Sequence, residues 1–329
     1  MNAPTAAATA QRTKGPQDKG PIVWLDMDQQ ALDDAYDQLV YAPNRDQLAK
    51  RRIANSAAAR TRIGDPLRFA YGPTPIEGLD VYRASPTQPS PASGGGQGGG
   101  GGAKAVDKTP VAIFVHGGAW RTGAAAEFTF LAEPFVRAGG AFVVLDFTTV
   151  DDAGGSLFPM VEQVRRAIGW VYRNADTLGG DRDRLYLLSH SSGSHLAGCA
   201  VTHDWPKEGL PRDILKGATL SSGMYDLKPV RLSKRSKYVK FTDAMEQELS
   251  AIRHLDKLAA PLNVSYGTYE TPEFQRQARD FAAAVKEAGK PVELLVGEAY
   301  NHFEMLETLA NPYGLLGRAA LKQMGLSKS

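Results

Sequence analysis

Residues 185 to 193 read LYLLSHSSG, an apolar run followed directly by small polar residues. The run 185–188 predicts a buried strand, and the apolar stretch 196–201 predicts a helix just after it. Ser191 stands at the turn between them, with small residues, Ser189 and Gly193, two positions away on each side. Such neighbours let the backbone turn sharply and expose the central hydroxyl, although glycine is more usual than serine at the first position. The pattern predicts Ser191 as a nucleophile; the alternative is a serine-rich helix cap.

Similar apolar runs recur along the chain, separated by stretches that read as helices. Uninterrupted apolar strands of this kind are buried on both faces, which indicates an α/β fold with a mostly parallel sheet covered by helices on both sides. Functional sites of such sheets form at the carboxyl ends of the strands. An alternating pattern at 67–82 predicts a leading hairpin. The predicted strands are 111–115, 141–145, 185–188, 217–221, 262–266 and 292–296.

The segment His116-Gly117-Gly118-Ala119-Trp120 follows the first of these strands. Glycines allow close backbone approach and can direct N–H groups toward a substrate. We therefore expect an oxyanion hole from Gly117, Gly118 and Ala119 together with the N–H of Ser192, the residue after the nucleophile. An ordinary Gly-Gly turn is the alternative.

A serine nucleophile of this kind needs a base and an acid later in the chain. His302 is the last histidine and follows the final predicted strand, so it is the predicted base. Two carboxylates are candidates for the acid. Glu270 follows the strand at 262–266 and is favoured, whereas Asp226 follows the preceding strand and could instead cap a helix.

Composition narrows the classes of function. The 329 residues carry a net charge of +2, which argues against a nucleic-acid binder, and the basic run 231–240 reads as a solvated surface. The single Cys199 lies in an apolar stretch and is expected to serve packing. The histidines show no metal-binding spacing, so we expect neither metal nor cofactor. The polar N-terminus lacks a secretory pattern and no stretch could span a membrane, which favours a cytoplasmic location.

The chain divides into a disordered leader at 1–20 and a single domain at 21–329. Within that domain, 85–108 is a glycine-rich stretch that we expect to form a flexible loop. The charged segment 226–258 lacks a strand pattern and is expected to form a small helical cap over the site.

Several motifs together make the chain resemble the kynurenine formamidase (arylformamidase) branch of the α/β-hydrolase superfamily. They are the 116–120 segment, the residues 190–196 reading HSSGSHL, and the stretches 223–227, 271–277 and 301–304. The resemblance implies the α/β-hydrolase fold and hydrolysis of an N-aryl formamide such as N-formylkynurenine through a formyl-enzyme. That family normally has Asp where this chain has Glu270.

Two other functions stay open at this stage. One is a carboxylesterase for small aromatic or short-acyl esters, and the other is a non-catalytic binding protein on the same fold. Trp120, Tyr225 and Phe303 are expected to line the pocket for a small aromatic amide or ester, although core packing is equally compatible with these rings. The sequence leaves the oligomeric state open, with a homodimer as one alternative.

Overall fold

The computed structural model of the chain describes residues 20–84 and 108–327. The predicted leader and the glycine-rich loop fall outside the described residues, apart from Gly20 and Lys108 at their ends. Among the described residues, no helix has both the length and the apolar character needed to cross a bilayer.

A small N-terminal subregion precedes the main sheet. A two-stranded antiparallel ribbon opens it and three helices follow. These elements are β1 (Ile22–Trp24), β2 (Met27–Asp28), α1 (Gln29–Ala35), α2 (Gln38–Tyr41) and α3 (Arg45–Ile63).

An eight-stranded sheet forms the centre of the described structure, in the order β10-β9-β8-β7-β5-β6-β4-β3. The strands β10 through β6 in this order are mutually parallel, and β4 and β3 are antiparallel at one edge. Each predicted apolar run lies within a strand, and β3 and β4 form the predicted hairpin. The mostly parallel α/β-hydrolase architecture is thus confirmed. The strands are β3 (Leu67–Ala70), β4 (Gly78–Tyr82), β5 (Thr109–Val115), β6 (Ala141–Leu145), β7 (Gly180–His190), β8 (Leu215–Ser221), β9 (Leu262–Gly267) and β10 (Val292–Gly297).

Helices cover both faces of the sheet. The α-helices that follow α3 are α4 (Ala132–Arg137), α5 (Phe158–Leu178), α6 (Ser192–Val201), α7 (Leu227–Leu232), α8 (Asp243–Glu248), α9 (Pro272–Glu287), α10 (His302–Glu307) and α11 (Leu315–Gln323). Short 3₁₀ turns lie at Ala125–Leu131, Trp205–Glu208, Lys234–Lys237, Ala251–Arg253, Leu255–Lys257 and Thr308–Ala310. The segment predicted as a cap contains α7, α8 and three of these turns.

The core consists of two apolar clusters, one on each face of the sheet. Alternate residues of β5 show the division, because Ile113 packs in one cluster and Phe114 in the other. Side chains of a strand alternate between faces, so a strand buried on both must be apolar throughout. This two-sided burial is why the central strands read as unbroken apolar runs.

Candidate active site

Ser191 occupies a sharp turn between β7 and α6. Its backbone lies in the positive-φ region (φ 59, ψ −129), which is strained for a residue with a side chain. A Cβ on Gly193 would overlap the carbonyl oxygens of Val115 and His116, so the turn requires glycine there. Ser189 takes the place of the more usual first glycine, and its Oγ lies 3.0 Å from Ser194 Oγ in the buried interior. The serine is accommodated because its hydroxyl finds a polar partner.

His302 links the serine to a carboxylate. Its Nε2 lies 2.8 Å from Ser191 Oγ, and its Nδ1 lies 2.7 Å from Glu270 Oε2. The carboxylate can only accept, so Nδ1 carries the proton and Nε2 is free to accept the serine hydroxyl. His302 begins α10, and Asn301 caps this helix through a reciprocal capping box with Glu304. The helix start therefore fixes the imidazole within reach of both partners.

Glu270 is buried and its second oxygen is also fully engaged. Glu270 Oε1 accepts hydrogen bonds from Ser222 Oγ (2.6 Å) and from the backbone N–H of Gly267 (2.7 Å). These two donors hold the longer glutamate side chain in one position. The structure thus places Glu270, in the position where the resembling family carries aspartate, against the imidazole.

Asp226, the other candidate acid, lies elsewhere. Its carboxylate caps α7 by accepting from the N–H of Lys228 at 3.1 Å, and it lies 3.6 Å from the Arg253 guanidinium. The structure gives Asp226 a role at a helix start and does not bring it to His302.

The loop after β5 has an unusual backbone. Gly118, Ala119 and Trp120 all have positive φ, and a Cβ on Gly117 would come within 2.8 Å of Ser191 Cβ. Within the described chain, the N–H groups of Gly117, Gly118 and Ala119 have no hydrogen-bond acceptor. The N–H of Ser192 lies in the first turn of α6, where helical N–H groups lack an intrahelical partner. These donors remain available beside Ser191, as an oxyanion hole requires.

A side-chain hydrogen bond joins this loop to the serine turn. The N–H of Trp120 donates to Ser192 Oγ at 3.1 Å. This hydrogen bond therefore fixes the loop that carries the N–H donors of residues 117–119 relative to the turn that carries the N–H of Ser192.

Two further buried histidines support the site. His190 Nε2 donates to the carbonyl oxygen of His302 at 2.8 Å, which fixes the start of α10 against β7. His116 stacks 4.4 Å from the Phe147 ring, and its Nδ1 lies 2.8 Å from the Gly117 carbonyl. Burial lowers the pKa of both imidazoles, so both are neutral near pH 7.

A cavity of about 650 Å³ opens at Ser191. Phe303 lies in its wall, together with Phe128 and Phe130. Two of the predicted pocket residues do not line this cavity, which is a correction. The Trp120 indole is buried and donates to His195 Nδ1 at 3.2 Å. Tyr225 is fully buried and stacks 4.1 Å from Phe281. Both rings therefore pack in the core, where their polar atoms also have hydrogen-bond partners.

The N-terminal helices form much of the cavity wall, which sequence reasoning missed. Tyr36, Leu48, Ala49 and Arg52 line it, and Arg235 lines it from the cap segment. Arg235 is only 7% exposed, so the basic run is not uniformly the solvated surface that was predicted. Leu32 and Tyr36 stand four residues apart and are both buried, a spacing that indicates a buried helix face but not the elements against which it packs.

Known proteins resemble this chain to different extents. A family model described as BD-FAE matches residues 102–218. The kynurenine formamidase of Danio rerio is 28% identical over 315 residues, covering 92% of this chain and 99% of that protein. The isoprenylcysteine alpha-carbonyl methylesterase of Arabidopsis thaliana is 30% identical over 153 residues, covering 46% of this chain and 30% of that protein. The propionate-bound structure of esterase Est2 from Thermogutta terrifontis has a TM-score of 0.63 at 20% identity, covering 81% of this chain and 98% of that one.

Fold and comparisons together define a serine hydrolase of the α/β-hydrolase type. Within that class the chain is kynurenine formamidase-like, because the similarity to that enzyme extends over nearly the whole of both chains. The alternative of a non-catalytic binding protein is therefore set aside.

Proposed function

We propose that this protein hydrolyses aryl formamides of the N-formylkynurenine type through a formyl-enzyme intermediate. The observation that carries the proposal is the chain of hydrogen bonds from Ser191 through His302 to Glu270 at the floor of an open cavity. Full-length similarity to a kynurenine formamidase supports the choice of substrate class.

The first half-reaction transfers the formyl group to the enzyme. His302 Nε2 takes the hydroxyl proton as Ser191 Oγ attacks the formyl carbon, and Glu270 stabilises the imidazolium that results. Donors from Gly117, Gly118, Ala119 and Ser192 bind the oxyanion. When the C–N bond breaks, His302 returns the proton to the nitrogen, and the aryl amine leaves.

The second half-reaction releases formate. Water loses a proton to His302 and attacks the formyl carbon of the ester on Ser191. Collapse of the intermediate breaks the bond to Ser191 Oγ, which recovers its proton from His302. The free serine and formic acid are the products, and the acid ionises in water.

The apolar part of the cavity wall supports an aromatic leaving group. Phe128, Phe130 and Phe303 offer apolar wall for an aromatic ring.

The direct test compares kcat/KM for N-formylkynurenine with that for p-nitrophenyl acetate. We expect efficient cleavage of the formamide, and a fall in kcat of about 10⁴-fold or more in Ser191→Ala, because the nucleophile is lost. Circular dichroism of the variant controls for folding. An enzyme that cleaves the ester but leaves the formamide intact would overturn the formamidase proposal.

A carboxylesterase acting on small aromatic or short-acyl esters is the second candidate. The match to a plant methylesterase over 46% of this chain favours it, and the same proposed triad would serve ester cleavage. Efficient turnover of short-acyl aryl esters, with formamides inert, would establish this alternative.

Three further features of the proposal concern partners and location. We infer that the partner is a small-molecule amide or ester, that nucleic acid is not bound, and that the enzyme acts in the cytoplasm. Sedimentation of the purified protein would decide between a monomer and a homodimer.

A further inference from the structure

Arg235 is a buried cation in the wall of the active-site cavity. It lies in the 3₁₀ turn Lys234–Lys237, and only 7% of its surface is exposed. We propose that Arg235 binds a carboxylate of the substrate, so that the enzyme selects anionic aryl amides over neutral ones. The inference rests on the proposed function for its reaction, although the anion site itself can be tested without turnover.

The guanidinium has no anionic partner in the described structure. Its Nη1 donates to Tyr238 Oη at 2.8 Å, and its Nη2 donates to the backbone carbonyl of Tyr36 at 3.3 Å. Its Nε is buried without a hydrogen-bond partner among the described residues. Because guanidinium has five N–H donors, more than half remain unused. Burying a charge without a counter-ion is costly, so an anion from the ligand would relieve that cost.

The neighbouring cations of the cavity are already paired. Arg45 lies 3.0 Å from Asp46, and Arg52 lies 2.6 Å from Glu127. Lys234 forms its ion pair with Asp37. Asp37 also attracts Arg235 electrostatically, but its carboxylate bonds are to Lys234 and to the N–H of Leu39. Among the cavity's arginines and lysines, Arg235 is thus the one that lacks an ion pair within the described chain.

Aromatic rings fix Arg235 close to the reacting groups. Its guanidinium lies 5.4 Å from the Trp120 ring and 6.0 Å from the Phe274 ring, distances at which a cation is attracted by a π face. The same Phe274 ring lies 5.0 Å from the imidazole of His302. One aromatic ring therefore lies between the cation and the proposed base, so a substrate that reaches both needs its carboxylate and its scissile bond at opposite ends.

A planar guanidinium favours a carboxylate because the two groups can form parallel hydrogen bonds. The expected ligand is therefore an aromatic amide with a carboxylate several bonds from the amide. N-Formylkynurenine has this arrangement, since its amino-acid carboxylate is remote from its formamide.

Binding is measured by calorimetry in a Ser191→Ala background, with 4-phenylbutanoate and 4-phenylbutanamide as matched probes. We expect the carboxylate to bind about 10- to 100-fold more tightly than the amide. Arg235→Gln should abolish this preference, and Arg235→Lys should restore part of it. Arg231→Gln is the matched control, because it removes one charge from the same segment outside the cavity wall and should keep the preference.

Two results would overturn the assignment. One is equal affinity for the two probes, or no binding of the carboxylate, in protein that carries an intact Arg235. The other is a preference that persists in folded Arg235→Gln. The first result needs no variant of Arg235, so a folding defect in Arg235→Gln cannot hide it.

Turnover gives a second, separate readout. With N-formylkynurenine and its α-carboxamide as substrates, Arg235→Gln should raise KM about 10- to 100-fold for the acid and change it less than threefold for the carboxamide. A purely structural role would affect both substrates alike and would contradict the assignment. Failure to cleave either formamide would refute the formamidase function, whereas the calorimetry would still decide on Arg235.

Discussion

At the scale of single residues, hydrogen bonds hold the side chains of the site in fixed orientations. Glu270 shows this best, since one oxygen orients His302 while the other is held by Ser222 and Gly267. These hydrogen bonds therefore hold the carboxylate in place, although the glutamate side chain is one methylene longer than that of aspartate. A shorter acid at this position would lose contact with the imidazole, its holding donors or both.

Replacement of the acid tests its role. Glu270→Gln should lower kcat by about 10³- to 10⁴-fold, because the neutral amide neither fixes the imidazole tautomer nor stabilises the imidazolium. Steady-state kinetics provide the measurement. Asp226→Asn is the control, since asparagine also caps helices, and its kcat should stay within about threefold of wild type. A larger loss in Asp226→Asn than in Glu270→Gln would exchange the two assignments.

For three other residues, the sequence did not indicate where the side chain lies. Trp120 and Tyr225 lie beside functional motifs, yet their side chains turn into the core, where His195 and Leu220 accept their polar hydrogens. Arg235 belongs to a run of charges that reads as surface, but it turns inward under aromatic rings. Sequence position specifies the strand end on which a residue lies; it does not specify which way the side chain points.

At the scale of elements, the decisive unit is β7, the turn at Ser191 and α6. The pattern in the sequence was sufficient to predict it, because a buried strand, a small-residue turn and an apolar helix each leave a distinct composition. Strand order predicted His302 as the base and favoured Glu270 as the acid, but it left Asp226 open as an alternative. The N-terminal helices as a cavity wall could not be predicted, since their contacts join residues 71 to 260 positions apart in the chain.

Tight packing at this unit predicts a strong effect of a single methyl group. Gly193→Ala should lower the free energy of unfolding by about 3 kcal/mol, because its Cβ would overlap two backbone carbonyl oxygens. Gly198 lies in the same helix, and a Cβ there would meet only side-chain atoms, Ala251 Cβ at 3.1 Å and the Tyr225 ring at 3.3 Å, which can give way by a few tenths of an ångström. We expect a change within about 1 kcal/mol there, since alanine also favours the helix. Urea unfolding compares the two; equal stability would contradict the packing described.

At the scale of the whole molecule, buried neutral histidines couple stability to pH. Burial lowers the pKa of His195 to about 4, and it also lowers the pKa values of His116 and His190. In the unfolded chain these groups titrate near about 6.5. Protons therefore bind the unfolded state first as the pH falls, and the stabilisation present above about pH 6.5 is lost progressively toward pH 4.

The pH effect can be assigned to one residue. The free energy of unfolding should fall with a slope of about 1.4 kcal/mol per pH unit for each such histidine in this window. His195→Gln should reduce this slope by about 1.4 kcal/mol per pH unit, the contribution of one histidine, because glutamine cannot titrate. Denaturant unfolding at pH 7, 6 and 5 measures the slope, and an unchanged slope in the variant would refute the contribution of His195.

The single thiol of the chain has a practical consequence. Cys199 lies inside α6, is buried, and burial raises the pKa of its thiol to about 12. Thiolate is the form that alkylating reagents attack, so iodoacetamide should leave the folded enzyme unmodified and fully active at pH 7.5. Modification in rising urea, followed by mass spectrometry, would then report how often the helix behind the nucleophile opens. Rapid alkylation of the native enzyme would instead mean that this helix is open to solvent.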